Sequence, residues 1–122
     1  MNTKKILIVE DNQDIHAVFK EFFEDMGYCA ETAGNGREGI RKYRWLKPDV
    51  VVMDVHMPDM NGYESSKGIK GLDPDARIVM VTGHPQDPLA EKSLQEGYVA
   101  TVMAKPCSLR NLFRAVASTL DA

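Results

Sequence analysis

The sequence predicts an α/β fold in which a five-stranded parallel sheet is covered by helices on both faces. Segments with strand and helix patterns alternate five times along the chain. Two of the strand segments, 50–53 and 78–81, are apolar at every position, which is typical of strands buried on both faces inside a parallel sheet. Parallel strands need right-handed crossover connections, and these connections place the intervening helices against the sheet.

The remaining strand segments have weaker patterns. Segment 6–9 is a short apolar run stopped by Glu10 and Asp11. Segment 28–33 alternates only weakly, which indicates a strand near an edge of the sheet, and segment 99–104 is predicted as the fifth strand. Five alternating units favour the doubly wound, flavodoxin-like strand order 2-1-3-4-5.

The helices are marked by periodicity and by capping residues. Apolar side chains between Ile15 and Met26 recur at helical spacing, which predicts one buried face, and Gly27 is placed to end that helix. The other helices are predicted after the capping residues Asn35, Asp87 and Ser108 and, more weakly, over 63–72.

Length and composition predict one cytoplasmic domain, spanning 1–122, with no output domain. The longest apolar runs have four residues, far short of the roughly 20 that cross a membrane. The net charge of −3 argues against direct nucleic-acid binding, which needs a basic face. Cys29 and Cys107 are interpreted as small core residues, with a disulfide or redox role left open.

Polar residues follow four of the five predicted strands. The first strand ends in Glu10 and Asp11, the third in Asp54, the fourth in Thr82 and the fifth in Lys105. Because ligands bind beyond the carboxyl ends of parallel strands, these side chains are expected to share one crevice. Two carboxylates about 5 Å apart repel by roughly 3 kcal/mol at an effective dielectric constant near 20. The cluster therefore predicts a hard divalent cation such as Mg²⁺.

A solvated loop explains Glu10 and Asp11 equally well when that pair is considered alone. It does not explain why chemically complementary residues end four separate strands. Four motifs, taken together, then resemble the receiver domains of bacterial response regulators. They are EDN at 10–12, DVHMPDMNG at 54–62, VTG at 81–83 and KP at 105–106. The resemblance covers the chain from Lys5 to Leu120.

The resemblance implies that Asp54 accepts a phosphoryl group from a sensor histidine kinase or a histidine phosphotransfer protein. Mg²⁺, or Mn²⁺, would be held by Asp11, by Asp54 and by the backbone carbonyl of His56, with Glu10 acting through water. The chain would be a phosphorylation switch of two-component signalling and not an enzyme. Self-phosphorylation from small donors and autodephosphorylation are expected, and the downstream effector stays unspecified.

The resemblance also implies that Thr82 and Lys105 contact the phosphoryl oxygens, with Thr82 as the sensor of the new charge. Gly83 should leave the site open. His56 and His84, two residues after Asp54 and Thr82, are candidates for tuning the reaction rates, or else simple loop histidines at the mouth of the pocket.

Two further features concern conformation. The position three residues before Lys105 is usually aromatic in this family, but here it is Val102. A short, stiff valine cannot act as a rotating aromatic switch, so activation is expected to move loop 83–87 and the start of the fourth helix. The resemblance also implies a cis peptide bond between Lys105 and Pro106.

Three other functions would suit this fold but match the residues present less well. An FMN carrier with this fold would need a phosphate-binding loop where Glu10 and Asp11 stand. A phosphatase with an aspartate nucleophile would place a second carboxylate at His56. A scaffold that works without phosphorylation would not need all five site residues.

Overall fold

The computed structural model describes residues 3–84, 86–105 and 107–121. Five parallel strands form one sheet in the order β2-β1-β3-β4-β5, which confirms the predicted topology. The strands are β1 (Lys5–Val9), β2 (Cys29–Ala33), β3 (Val50–Asp54), β4 (Ile78–Thr82) and β5 (Thr101–Ala104). The helices are α1 (Gln13–Asp25), α2 (Gly36–Leu46), α3 (Gly62–Leu72), α4 (Pro88–Gln95) and α5 (Leu109–Asp121).

The sheet has a hydrophobic core on each face because successive strand residues point to opposite sides. Leu7 and Met53 belong to the core cluster that includes residues of α2, α3 and α4. Ile8 and Val52 belong to the opposite cluster, which includes residues of α1 and α5. All residues of β3 and β4 are buried, as their apolar runs predict.

Side-chain caps fix where most of the helices begin. Asn12, Asn35 and Asn61 each accept a backbone N–H of the first helical turn, at the starts of α1, α2 and α3. Asp87 does the same for α4, where Pro88 takes the first helical position. These caps set where the loops after β1, β2, β3 and β4 end, and most of the candidate site lies in or beside these loops.

Three details differ from the sequence-based expectations. Met26, predicted on the buried face of the first helix, caps its end and is 46% exposed. Cys29 is exposed because it begins an edge strand, so its interpretation as a core residue is wrong, while Cys107 is half-buried. β5 begins at Thr101, two residues later than predicted. Within the described ranges, no helix has the length and apolar character needed to cross a membrane.

Candidate functional site

Sheet register brings the four polar strand ends to one edge. Val9 pairs with Met53, so Glu10 and Asp54 follow paired positions on adjacent strands. Thr82 pairs with Ala104, directly before Lys105. Five residues that are far apart in sequence therefore surround one crevice, where the sequence places them: Glu10, Asp11, Asp54, Thr82 and Lys105.

Lys105 bridges two carboxylates in this crevice. Its Nζ lies 2.9 Å from Oε1 of Glu10 and 2.9 Å from Oδ1 of Asp54. Glu10 is 3% exposed and Asp54 is 7% exposed, so water screens these charges weakly. Burial works to lower the pKa of Lys105, but the hydrogen bonds and charges of the two carboxylates outweigh it and raise the pKa above its usual value.

The three carboxylates form a set that fits a divalent cation. One oxygen from each of Glu10, Asp11 and Asp54 lies within 4.8 Å of the others. Burial, a hydrogen bond to Glu10 and the charge of Glu10 together raise the pKa of Asp11. Hard oxygen donors with an excess of negative charge, which one lysine offsets only in part, are the ligands that Mg²⁺ prefers, so the residues present suit that ion.

The loop after β3 is folded tightly against Asp54. Gly62 donates its N–H to the carbonyl of Val55 at 2.7 Å. A Cβ on Gly62 would clash with the carbonyl oxygen of Asp54 and would lie 2.9 Å from Cα of Val55. The Asp54 carboxylate also accepts the N–H of Val55 at 3.0 Å. The absence of a side chain at residue 62 therefore permits the backbone packing that positions Asp54.

Thr82 is hydrogen-bonded to Asp87, the residue that caps α4. Its hydroxyl donates to Oδ2 of Asp87 at 2.7 Å, and Nε2 of His56 contacts the same oxygen at 2.5 Å. Burial tends to raise the pKa of Asp87, but these two hydrogen bonds and that of Leu89 outweigh it, and the pKa lies below its usual range. The ring of His84 packs edge-on against that of His56, with centroids 5.0 Å apart.

Comparison with known proteins decides the family. The family model described as the response regulator receiver domain matches residues 6–117. The chain belongs to the response regulator receiver domain family. Its sequence is 38% identical over 95 residues to chemotaxis protein CheY of Thermotoga maritima, covering 77% of this chain and 79% of the relative. It is 31% identical over 116 residues to sporulation initiation phosphotransferase F of Bacillus subtilis, covering 95% and 93%.

Solved structures agree with this assignment. A CheY-like receiver domain protein from Methanospirillum hungatei superimposes with a TM-score of 0.92 at 31% identity, covering 98% of this chain and 95% of that one. Response regulator TrrA from Thermotoga maritima, in complex with Mg²⁺ and BeF, superimposes with a TM-score of 0.85 at 27% identity, covering 96% and 99%. Receiver domains are signalling modules, and this one contains an acidic pocket of the kind in which the family binds Mg²⁺.

Two features of this receiver domain concern the space around Thr82. A Cβ placed on Gly83 would meet no atom within 4 Å, so the site is open there, as the sequence predicts. A groove of about 250 Å³ lies between α4 and β5, and its lining includes Thr82, Asp87 and Val102. The short side chain of Val102 leaves this groove open.

The predicted cis bond between Lys105 and Pro106 involves a residue outside the described ranges.

A larger groove, of about 550 Å³, opens near the amino ends of β4 and β5, and its lining includes Lys70, Arg77 and Thr101. None of the five polar strand-end residues lines it. The charged groups converge instead on the crevice at the carboxyl ends of the strands.

Sequence reasoning missed two residues of the site. Asp87 was interpreted only as a helix cap, although its position five residues after Thr82 allows a short loop to return it to the strand end. His16 is half-buried, and its Nδ1 lies 3.1 Å from the backbone oxygen of Glu10. Neither contact leaves a signal in periodicity or composition, since both depend on how loops pack.

Proposed function

We propose that Asp54 is the phospho-acceptor of a two-component signalling switch and receives its phosphoryl group in the cytoplasm from phosphohistidine. The observation that carries the proposal is the position of Asp54, at the end of β3 between the Lys105 ammonium and the carboxylates of Glu10 and Asp11. A carboxylate held between a cation-binding cluster and a lysine suits covalent capture of a phosphoryl group.

Each group in the crevice has a proposed role. A carboxylate oxygen of Asp54 attacks phosphorus, the bond between phosphorus and the donor breaks, and the leaving group departs with its electron pair. Asp11, Asp54 and the backbone carbonyl of His56 would hold Mg²⁺, or Mn²⁺, with Glu10 acting through water. The cation, when bound, supplies positive charge against the phosphoryl oxygens.

The remaining residues would act on the product. The Lys105 ammonium would move from the carboxylate oxygens and hydrogen-bond to a phosphoryl oxygen. The Thr82 hydroxyl would donate a hydrogen bond to another phosphoryl oxygen. Gly83 would leave room for the donor and for water. His56 and His84, at the mouth of the crevice, would tune the rate of phosphorylation and the rate at which the phosphoryl group is lost. This arrangement supports self-phosphorylation from small donors and autodephosphorylation.

The partners follow from the relatives. One is a chemotaxis protein and another a phosphotransferase of sporulation initiation, which supports a histidine kinase or histidine phosphotransfer protein as the donor. The effector that recognises the phosphorylated chain would be a protein or an output domain, because the net charge of −3 does not favour nucleic acid.

The proposal is tested by intact-mass spectrometry after incubation with acetyl phosphate. We expect a single phosphate adduct that requires Mg²⁺, disappears in Asp54→Ala and persists in Asp75→Ala, a matched change at an exposed aspartate near the start of β4. An adduct of undiminished yield in Asp54→Ala would refute the assignment.

A further inference from the structure

One buried carboxylate connects three parts of the site. Oδ2 of Asp87 accepts the hydroxyl of Thr82 at 2.7 Å and Nε2 of His56 at 2.5 Å. Oδ1 of the same residue accepts the N–H of Leu89 at 3.0 Å and thereby caps α4. Asp87 is 3% exposed, so these contacts have little competition from water.

The Thr82 hydroxyl has only one proton to donate. In this structure it donates to Asp87, while the N–H of His84 donates to the same Thr82 oxygen at 3.2 Å. The hydroxyl cannot give that proton to a phosphoryl group on Asp54 while it stays bonded to Asp87. Asp87 and the phosphorylated aspartate are therefore competing acceptors for a single donor.

We propose that Asp87 is a positioning residue that holds the unphosphorylated conformation, and that the loss of its bond to Thr82 passes phosphorylation on to the start of α4. This inference rests on the proposed function, because it assumes that Thr82 turns toward a phosphoryl group on Asp54. It extends that function by assigning a role to a residue outside the phosphate-binding set.

The route to α4 follows from the two oxygens of one side chain. When Thr82 leaves, Oδ2 loses a partner in a buried setting, and an under-bonded carboxylate is driven to turn toward water or toward other donors. That rotation also moves Oδ1, which caps α4 through Leu89. The adjoining residue Gln86 already has a positive φ of 61°, so a shift of Asp87 is expected to redistribute the backbone there. Phosphorylation would thus loosen or reorient the first turn of α4.

The substitution that isolates this role is Asp87→Asn. Asparagine caps a helix as well as aspartate does, so the amide oxygen can keep the bond to Leu89. The amide nitrogen that replaces Oδ2 is a donor and cannot accept the proton of Thr82. Asp75→Asn makes the same chemical change at an exposed aspartate near the start of β4 and serves as the matched control.

Two measurements test the proposal, with Mg²⁺ and beryllofluoride as the probe. A calorimetric titration of the ligand should show affinity about fivefold higher or more in Asp87→Asn than in the unsubstituted protein, within the usual range of coupling between sites. Amide spectra of ligand-free Asp87→Asn should show residues 86–91, where resolved, displaced toward their positions in the beryllofluoride-bound protein. Structural damage alone would weaken binding, and the loss of a nearby negative charge alone would not displace residues 86–91, so the two results together mark a released restraint.

Unchanged affinity in Asp87→Asn, with residues 86–91 at their unsubstituted positions, would overturn the inference and leave the proposed function intact. Failure of the unsubstituted protein to bind beryllofluoride would overturn both. If Asp87→Asn does not fold, Asp87→Ser takes its place, since serine also caps helices, and its one oxygen stands in for Oδ1 of Asp87 at Leu89 and leaves no group in place of Oδ2. The ligand affinity and the amide spectra of Asp87→Ser then decide whether the inference holds.

Discussion

Nζ of Lys105 lies 2.9 Å from Oδ1 of Asp54, so the proposed nucleophile is already paired with a cation before any phosphoryl donor arrives. The same nitrogen lies 2.9 Å from Oε1 of Glu10. One ammonium group therefore offsets part of the charge of a crevice that contains three carboxylates. This pairing makes the stability of the protein sensitive to each charge in the crevice, and the sensitivity can be measured without any kinase.

Replacing Lys105 by methionine should destabilise the Mg²⁺-free protein by about 2 kcal/mol, because two nearly buried carboxylates lose their shared partner. Urea unfolding measures the change. Lys67→Met changes an exposed position of α3, so its free energy of unfolding should stay within about 0.5 kcal/mol of that of the unsubstituted protein. Equal stability of Lys105→Met and Lys67→Met would show that the pairing contributes nothing.

Asp11→Asn should have the opposite effect. The pKa of Asp11 is raised by burial and by its proximity to Glu10, so folding makes its ionised form less favourable than it is in the unfolded chain. Removing the charge should stabilise the Mg²⁺-free protein by about 1 kcal/mol, a modest value because Asp11 is exposed. Thermal unfolding with and without Mg²⁺ should show that the variant also loses stabilisation by the ion. A variant that Mg²⁺ still stabilises fully would contradict Asp11 as a ligand.

Gly83→Val should slow both phosphorylation by acetyl phosphate and loss of the phosphate. A Cβ at this position meets no atom within 4 Å, so the change adds bulk over the crevice without a clash. The time course of the mass adduct measures both rates. Gly34→Val adds the same side chain to another loop with open space and should leave both rates unchanged. Unaltered rates in Gly83→Val would rule out access through this opening.

Gly62→Ala should destabilise the protein by about 2 kcal/mol, because the new Cβ would press on the backbone of Asp54 and Val55, which cannot move aside as a flexible side chain could. Gly71→Ala, in the same helix, meets no atom within 4 Å and should stabilise the protein by about 0.5–1 kcal/mol through helix propensity. Unfolding curves of the two variants compare these effects directly, and a stable Gly62→Ala protein would contradict the close packing.

Binding of beryllofluoride should move the loop after β4 and the start of α4. Amide chemical shifts with and without the ligand should change most, outside the crevice, within 83–90. The stiff side chain of Val102 gives little reason for a response along β5. The largest changes at Val102 and α5, with 83–90 unmoved, would mean that the signal travels by another path.

The sequence by itself determined the topology and the five polar strand-end residues that converge in the crevice. Apolar runs at 50–53 and 78–81 are typical of strands buried on both faces, and their alternation with helical segments selects a parallel sheet covered by helices. Once the strands are parallel, their carboxyl ends share one edge, so Asp54, Thr82 and Lys105 must meet there. The starts of helices could also be predicted from the sequence, because capping by residues such as Asn35 depends on only a few neighbouring positions.

Only the tertiary structure decided how these side chains are partnered. The bond between Thr82 and Asp87 depends on the path of a short loop, and the reach of Lys105 to Glu10 and Asp54 depends on the register of four strands, β1, β3, β4 and β5. The exposure of Cys29 likewise comes from its place on an edge strand, which its sequence neighbours do not encode. Periodicity reports which face of an element is buried, whereas hydrogen-bond partners are set by distances between segments remote in the chain.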